Sequence, residues 1–176
     1  INGNIFFINH KEVEMSVEDT KSHSNQHEAS YLLALCTYLL QQGYLPTQIT
    51  ILTMYTGQMF LIKKKMKACK QLELLMGEDR IRVTPVDNFQ GEENDIILLS
   101  LVRSNEEGKI GFLSIHNRVC VALSRARKGF YAIGNINLME EANNLWKKIV
   151  RDLRTNNRLV EALPLACQNH PASIVE

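Results

Sequence analysis

Two short blocks of sequence carry the residue types of a nucleotide site. Residues 86–95 read VDNFQGEEND and place Gly91 between a glutamine and two carboxylates, just before an apolar run. Residues 117–127 read NRVCVALSRAR and bring Arg125 and Arg127 to the end of a predicted helix. Carboxylates can accept hydrogen bonds from ribose hydroxyls or orient a metal-bound water, and the planar guanidinium matches phosphate oxygens. Together the two blocks predict one half of a nucleotide-binding site.

The first block supplies the groups that would meet the sugar or a water near the phosphates. Gln90 and Gly91 leave the backbone open to a ligand, because glycine has no side chain in the way. Glu93 and Asp95 are two residues apart and therefore face the same way on an extended segment. A turn that enters a strand, with its carboxylates capping loose amides, is the alternative explanation.

The second block supplies the phosphate contact. On a helix Arg125 and Arg127 would lie about 200° apart, so they can share a pocket only where the helix ends. One of them is expected to reach a phosphate, as an arginine finger does across a cleft, while the other anchors the segment. An ordinary pair of surface arginines at a helix end is the alternative.

A third segment, residues 53–58, starts a helix directly after a strand. The free backbone amides of such a start can bind an anion and fit contacts to a nucleic-acid backbone, although an ordinary helix start explains the segment equally well. The sequence holds no Gly-x-x-x-x-Gly-Lys-Ser/Thr phosphate loop, since Gly108-Lys109 stands alone in a polar turn. The chain by itself is therefore not expected to hydrolyse a nucleotide.

Length and composition fit one globular domain. The chain has 176 residues, of which 45% are apolar and 22% are charged, and its formal net charge of +1 gives no global basic field. No segment is apolar enough to span a membrane. The first residue is Ile1 and residues 5–8 are too short for a signal peptide, so the chain is interpreted as part of a longer protein. Cys167 and His170 are one possible pair of metal ligands, but a structural zinc site needs four, and no metal site is predicted.

Strands and helices alternate along the sequence, which predicts an α/β fold with a mostly parallel sheet and helices on both faces. Apolar β-prone runs predict strands at residues 4–8, 49–53, 81–84, 95–102 and 130–134. Helical spacing of apolar residues predicts helices at residues 29–40, 59–69, 119–126 and 145–153. Residues 11–26 are predicted to be a loop, and the tail to be polar and loose. Because ligands of such folds collect at the carboxyl ends of strands, both blocks are expected there.

The order of the motifs resembles that of a known family, the second RecA-like domain of Upf-like superfamily 1 helicases. The resemblance runs from about residue 5 to residue 135. Its motifs are Asn25-x-x-Glu28-Ala29, Thr53-x-Tyr55-x-Gly57-Gln58, residues 86–95, Ser100-x-Val102-Arg103-Ser104-Asn105, Gly111-Phe112-Leu113 and residues 117–127. It implies a RecA-like domain of the P-loop NTPase fold at residues 1–155. Residues 90–105 and 167–171 are most similar to zinc-finger-containing members, so residues 156–176 are expected to lead toward a zinc-finger region.

The resemblance also implies roles for particular residues. Such helicases bind ATP and Mg²⁺ between two RecA-like domains and move along single-stranded RNA or DNA, so a first RecA-like domain is the implied partner. Arg125 would reach the γ-phosphate, with Arg127 the less favoured finger. The residues implied to contact nucleotide are Gln90, Gly91 and Glu93. The residues implied to line the nucleic-acid path are Thr53, Gln58, Thr84 and Asp87.

Two positions depart from the family pattern, and the choice of function keeps alternatives. Glu92 and Asn94 stand where relatives often carry basic residues, which puts direct strand contact there in doubt. The expected function is the carboxyl-terminal motor lobe of a cytoplasmic RNA helicase in RNA surveillance, silencing or antiviral sensing. The alternatives are a non-catalytic RNA-binding or protein-docking module of helicase shape and a DNA helicase lobe.

Overall fold

A six-stranded, wholly parallel sheet forms the centre of the molecule. The computed structural model describes residues 3–17, 22–69, 80–167 and 170–175. The strands of this sheet are β1 Ile5–Asn9, β4 Ile49–Thr53, β5 Arg82–Pro85, β6 Asn94–Ser100, β7 Ala126–Gly134 and β8 Leu159–Val160. Their order across the sheet is β5-β4-β6-β7-β1-β8. The predicted fold class, an α/β RecA-like domain with a mostly parallel sheet, is confirmed.

Helices cover both faces of the sheet. They are α1 Gln26–Gln41, α2 Thr56–Ala68, α3 His116–Leu123, α4 Ile136–Ala142 and α5 Asn144–Thr155. Helices α1 and α2 pack on one face, where Leu32 and Ile62 belong to the same apolar cluster as Ile51 of β4. The other three helices pack on the opposite face, where Trp146 belongs to the cluster that contains Leu52. Every residue of β4 is buried, as expected for a strand covered on both sides.

Two short antiparallel hairpins accompany the sheet. Strands β2 Met15–Val17 and β3 Ser22–Ser24 pair where the sequence predicts only a loop. Strands β9 Leu165–Cys167 and β10 His170–Val175 pair in the tail that was predicted to be loose. The first hairpin was not predicted because the polar residues of Ser22–Ser24 give no apolar alternation. Strand β8 carries the parallel sheet beyond residue 155, and the proposed role of residues 156–176 stays a prediction.

The helix predicted at 119–126 has different ends. Helix α3 runs from His116 to Leu123, and Ala126 already pairs with Asn94 of the neighbouring strand. Pairing with β6 therefore ends the helix earlier than the apolar spacing indicates. As a result Arg125 lies in the turn between helix and strand and Arg127 lies on β7, so neither is on a helix.

The connection from β5 to β6 corrects the predicted position of both blocks. Both strands run parallel to β4, so residues 86–93 must return from the carboxyl end of β5 to the amino end of β6. A 3-10 turn, Val86–Phe89, begins this return. Residues 90–95 and the Arg125–Arg127 segment consequently lie at the amino ends of the strands, which we call the amino edge. The prediction that they lie at the carboxyl edge is wrong.

Candidate functional site

Arg125 is held at the amino edge by neutral groups. Its Nε donates to the carbonyl oxygen of Val121 at 2.9 Å, and Nη2 donates to Ser124 Oγ at 2.7 Å. Nη1 donates to the carbonyl oxygen of Glu92 at 3.1 Å. Within the described part of the chain, no carboxylate forms a salt bridge with this guanidinium. Its direction is therefore fixed while its positive charge is not neutralised, which suits an incoming anion.

Arg127, in contrast, is neutralised by carboxylates. Its Nε donates to Asp95 Oδ1 at 2.9 Å, and its Nη1 lies 3.5 Å from Glu93 Oε1. Glu93 and Asp95 thus face the same way, as their spacing predicts. Lys128 Nζ donates to the other oxygen of Asp95 at 2.8 Å, and this hydrogen bond is the main reason that the pKa of Asp95 lies below its usual value.

The loop that carries Gln90 and Gly91 is open to solvent. Gly91 has a φ of +81°, in the left-handed region that favours glycine, and no atom lies within 4 Å of the place where a Cβ would be. Glu92 forms a bidentate pair with Arg82 at the start of β5, and the hydrogen bond from Arg82 lowers the pKa of Glu92. The loop therefore leaves space for a ligand, while Glu92 is used within the protein.

The residues expected to line a nucleic-acid path lie at the opposite, carboxyl edge. Thr53 ends β4, is fully buried, and exchanges weak hydrogen bonds with the backbone of Tyr55. Thr84 is 7% exposed near the end of β5. Asp87 is more accessible, with 55% of its side chain exposed and a 2.8 Å contact to Arg118 Nη2. Asp87 alone among these three offers a largely accessible side chain.

Gln58 was predicted to contact nucleic acid, but the structure encloses it inside the protein. Its side chain is fully buried, and its Oε1 accepts a hydrogen bond from the amide of Asn25 at 2.8 Å. Its Nε2 donates to the carbonyl oxygen of Asn25 at 3.0 Å and to Ser100 Oγ at 2.9 Å. Both ends of the side-chain amide are therefore used inside the protein, and Gln58 ties α2 to α1 and β6 instead of facing a strand of nucleic acid.

Glu28 belongs to the first family motif, but the sequence analysis gave it no role, and the structure shows it to be a buried carboxylate. It is fully buried and accepts hydrogen bonds from Ser100 Oγ, from the amide of Val102 at 2.9 Å and from His10 Nε2 at 3.1 Å. Val102 has a φ of +73°, and the amide of Arg103 donates across it to the carbonyl oxygen of residue 101 at 2.9 Å. This is a strained γ-turn, rare for a β-branched residue. Glu28 holds it directly beyond the central strand β6.

Comparisons with known proteins agree with this architecture. A family model described as an AAA domain matches residues 1–137. The chain is 54% identical over 171 residues to NFX1-type zinc finger-containing protein 1 of Homo sapiens, which covers 97% of the chain and 8% of that protein. The chain belongs to the AAA-domain family of Upf-like superfamily 1 helicases. The predicted resemblance is thereby confirmed.

Two further relatives of this helicase domain carry helicase names. Helicase required for RNAi-mediated heterochromatin assembly 1 of Schizosaccharomyces pombe is 40% identical over 158 residues, which covers 90% of the chain and 15% of that protein. ATP-dependent helicase NAM7 of Saccharomyces cerevisiae is 36% identical over 160 residues, which covers 89% of the chain and 16% of that protein. The chain therefore spans less than a fifth of the length of each of these relatives.

Glu14 connects the β2–β3 hairpin of the helicase domain to the carboxyl edge of the sheet. Glu14 accepts two hydrogen bonds from Arg103 Nε, at 3.0 and 2.9 Å, and one from the amide of Ser104 at 2.6 Å. The ring of His23 in β3 lies beside this pair, and burial together with the nearby Arg103 lowers its pKa. Glu14 thus links the hairpin to the segment that follows the strained turn.

At the start of α2, a backbone amide that was expected to bind an anion already donates a hydrogen bond within the protein. The amide of Gly57 donates to Ser22 Oγ of the hairpin at 2.8 Å.

Among the described residues, no group of three or more His, Cys, Asp or Glu side chains could hold a metal ion. The side chains of Cys167 and His170 lie outside the described residues. No helix in the described ranges is long and apolar enough to cross a membrane.

Proposed function

We propose that the chain is the carboxyl-terminal motor lobe of an ATP-dependent RNA helicase and that Arg125 is its arginine finger. The observation that supports this role is the set of three neutral acceptors that fix the Arg125 guanidinium. An arginine that stabilises charge on a transferring phosphoryl group must be fixed in direction and must keep its charge available. Arg127 meets the first requirement but not the second, because Asp95 and Glu93 neutralise it.

Glu93 is proposed as the nucleotide contact on the same edge. Its side chain is 62% exposed and lies 3.5 Å from Arg127, so the carboxylate is oriented without being enclosed. It can accept hydrogen bonds from ribose hydroxyls or from a water near the phosphates. Gln90 and Gly91 would form the wall of the same site, since their loop is exposed and open.

The remaining parts of the ATP site are proposed to come from a preceding RecA-like lobe. The Mg²⁺ ligands are proposed to come from that lobe as well, because at the amino edge Arg127 and Lys128 engage Asp95 and Arg82 engages Glu92. The sequence also has no phosphate loop to hold the β- and γ-phosphates. We therefore expect no ATP hydrolysis by this chain alone.

The carboxyl edge is proposed as part of the RNA track. Asp87 would contact RNA directly, while the buried Thr53 and Thr84 would shape the backbone of that edge. The family supports a nucleic-acid substrate, and RNA is proposed because one relative is named as a helicase required for RNAi-mediated heterochromatin assembly. A cytoplasmic role in RNA surveillance, silencing or antiviral sensing is proposed as what the family resemblance implies.

The test uses the longer protein of which this chain is a proposed part. RNA-stimulated ATP hydrolysis is compared for the wild type, Arg125→Ala and Arg125→Lys, with Arg151→Ala as an exposed control on α5. Arg125→Ala should lower turnover by roughly 10³-fold or more, and lysine should rescue little, because it lacks the planar fork. Unchanged turnover of Arg125→Ala would refute the finger assignment. A wild-type protein without ATPase activity would favour the non-catalytic module instead.

A further inference from the structure

The short turn Gly111–Ser114 has no role in the proposed ATP site, although it is part of the family motif. Its Phe112 is 43% exposed, whereas Ile110, two residues before it, and Leu113, directly after it, are 5% and 0% exposed. An aromatic ring that is exposed between two buried residues is held in place by them. A ring that is held in this way presents a fixed apolar surface for recognition.

The turn is fixed from several sides. Gly111 has a φ of +51°, and a Cβ at this residue would lie 2.4 Å from Tyr55 Oη, so the turn needs glycine. The amide of Phe112 donates to the same Tyr55 Oη at 3.2 Å. Trp146 Nε1 donates to the carbonyl oxygen of Leu113 at 2.8 Å. The position of the Phe112 ring is therefore set before any ligand arrives.

Phe112 is also part of a stack of flat groups. The Phe112 and Tyr55 ring centroids are 5.2 Å apart with planes 30° apart, and Arg118 Cζ lies 4.3 Å from the Phe112 centroid. Arg118 is oriented by its contact with Asp87 at 2.8 Å and keeps 31% of its side chain exposed. We call Phe112 and Arg118, backed by Tyr55, the stacking platform.

The stacking platform lies at the carboxyl edge, beside Asp87 and just beyond Thr53. We propose that it stacks on a base of a single nucleic-acid strand that crosses this edge. The proposal rests on the proposed function, which puts the RNA track at the same edge. Aromatic rings and guanidinium planes both stack on bases without requiring a particular sequence, and a nearby arginine adds charge attraction to the backbone.

The test separates stacking on bases from attraction to the backbone. The longer protein is titrated against a fluorescein-labelled oligouridine and against an abasic strand of the same length and charge, with fluorescence anisotropy as the readout. Phe112→Ala should weaken oligouridine binding by roughly tenfold and leave abasic binding unchanged. Its salt dependence should match that of the wild type, because no charge is removed. Phe112→Trp should restore binding.

Two further variants make the result specific. Arg118→Lys keeps the charge but loses the plane, so it should weaken oligouridine binding while abasic binding persists. Tyr44→Ala, which removes a partly exposed aromatic ring at the amino edge, should bind both strands like the wild type. Phe112→Ala with unchanged oligouridine binding, or with equal losses on both strands, would overturn the stacking platform alone. A wild-type protein that binds neither strand would overturn the proposed RNA track and this inference with it.

Discussion

Glu28 is the buried carboxylate whose removal should cost the domain a large part of its stability. Three donors converge on it: Ser100 Oγ, the amide of Val102 and His10 Nε2. Replacement by alanine leaves these donors without their acceptor in the interior. An unsatisfied buried donor costs about 1–3 kcal/mol, and more where the missing partner carried charge.

The expected loss can be worked out from these contacts. The amide of Val102 cannot reorient, because it belongs to a γ-turn that itself costs about 1–3 kcal/mol. The hydroxyl of Ser100 can turn toward another acceptor, so its loss is smaller. We expect Glu28→Ala to lower the free energy of unfolding by about 3–5 kcal/mol, the range for breaking a buried charged contact. Glu28→Gln should lose about 1–3 kcal/mol, because it keeps one acceptor oxygen.

Urea unfolding measures this loss directly. The chain has one tryptophan, Trp146, which is fully buried, so its fluorescence reports unfolding of the core. With a slope of about 2 kcal/mol per molar urea, Glu28→Ala should lower the midpoint by about 2 M. Glu106→Ala removes an exposed carboxylate and is the matched control. If Glu28→Ala unfolds at the same midpoint as Glu106→Ala, the conclusion that Glu28 supports the strained turn is wrong.

Two other changes test single contacts in the same unfolding assay. Asp95→Asn should lower the free energy of unfolding at neutral pH, and this loss should shrink as the pH falls below about 4. The pKa of Asp95 is lowered in the folded chain, so its carboxylate stabilises the fold above the pKa of the unfolded chain and no longer does so in acid. A loss of stability that stays constant with pH would contradict this. Gly111→Ala should lower the free energy of unfolding more than Gly108→Ala. Both glycines have positive φ, but only at Gly111 would the added Cβ lie 2.4 Å from other side chains, those of Arg103 and Tyr55. Equal losses for the two variants would show that these close contacts do not matter.

The layers of the fold could be predicted because they follow from local apolar patterns. The apolar run of β6 indicated a strand covered on both faces, and in the structure every residue of β6 after Asn94 is buried. The edge on which the blocks lie was also contained in the predicted elements, although the prediction placed it wrongly. Residues 90–93 and Arg125 directly precede parallel strands, so they must lie at the amino ends of those strands, and only residues 86–89 remain near the carboxyl end of β5.

The contacts within the candidate site were predictable only in part. The spacing of Glu93 and Asp95 was enough to predict that they face one side, where Arg127 meets them. The partners of Arg125 could not be predicted, because two of its three acceptors are backbone carbonyl oxygens, and one of these, that of Glu92, belongs to a segment 33 residues away. Gln58 was misplaced because a polar residue at a helix start gives no sign that it is enclosed.

The most direct test of the central claim is the affinity of the longer protein for a transition-state mimic. Binding of ADP with aluminium fluoride is compared with binding of ADP alone, for the wild type and for Arg125→Ala, in the presence of RNA. An arginine finger stabilises the transition state more than the ground state. We therefore predict that Arg125→Ala loses most of the added affinity for the mimic while ADP binding stays close to the wild-type value. Full retention of that added affinity by Arg125→Ala would contradict the account.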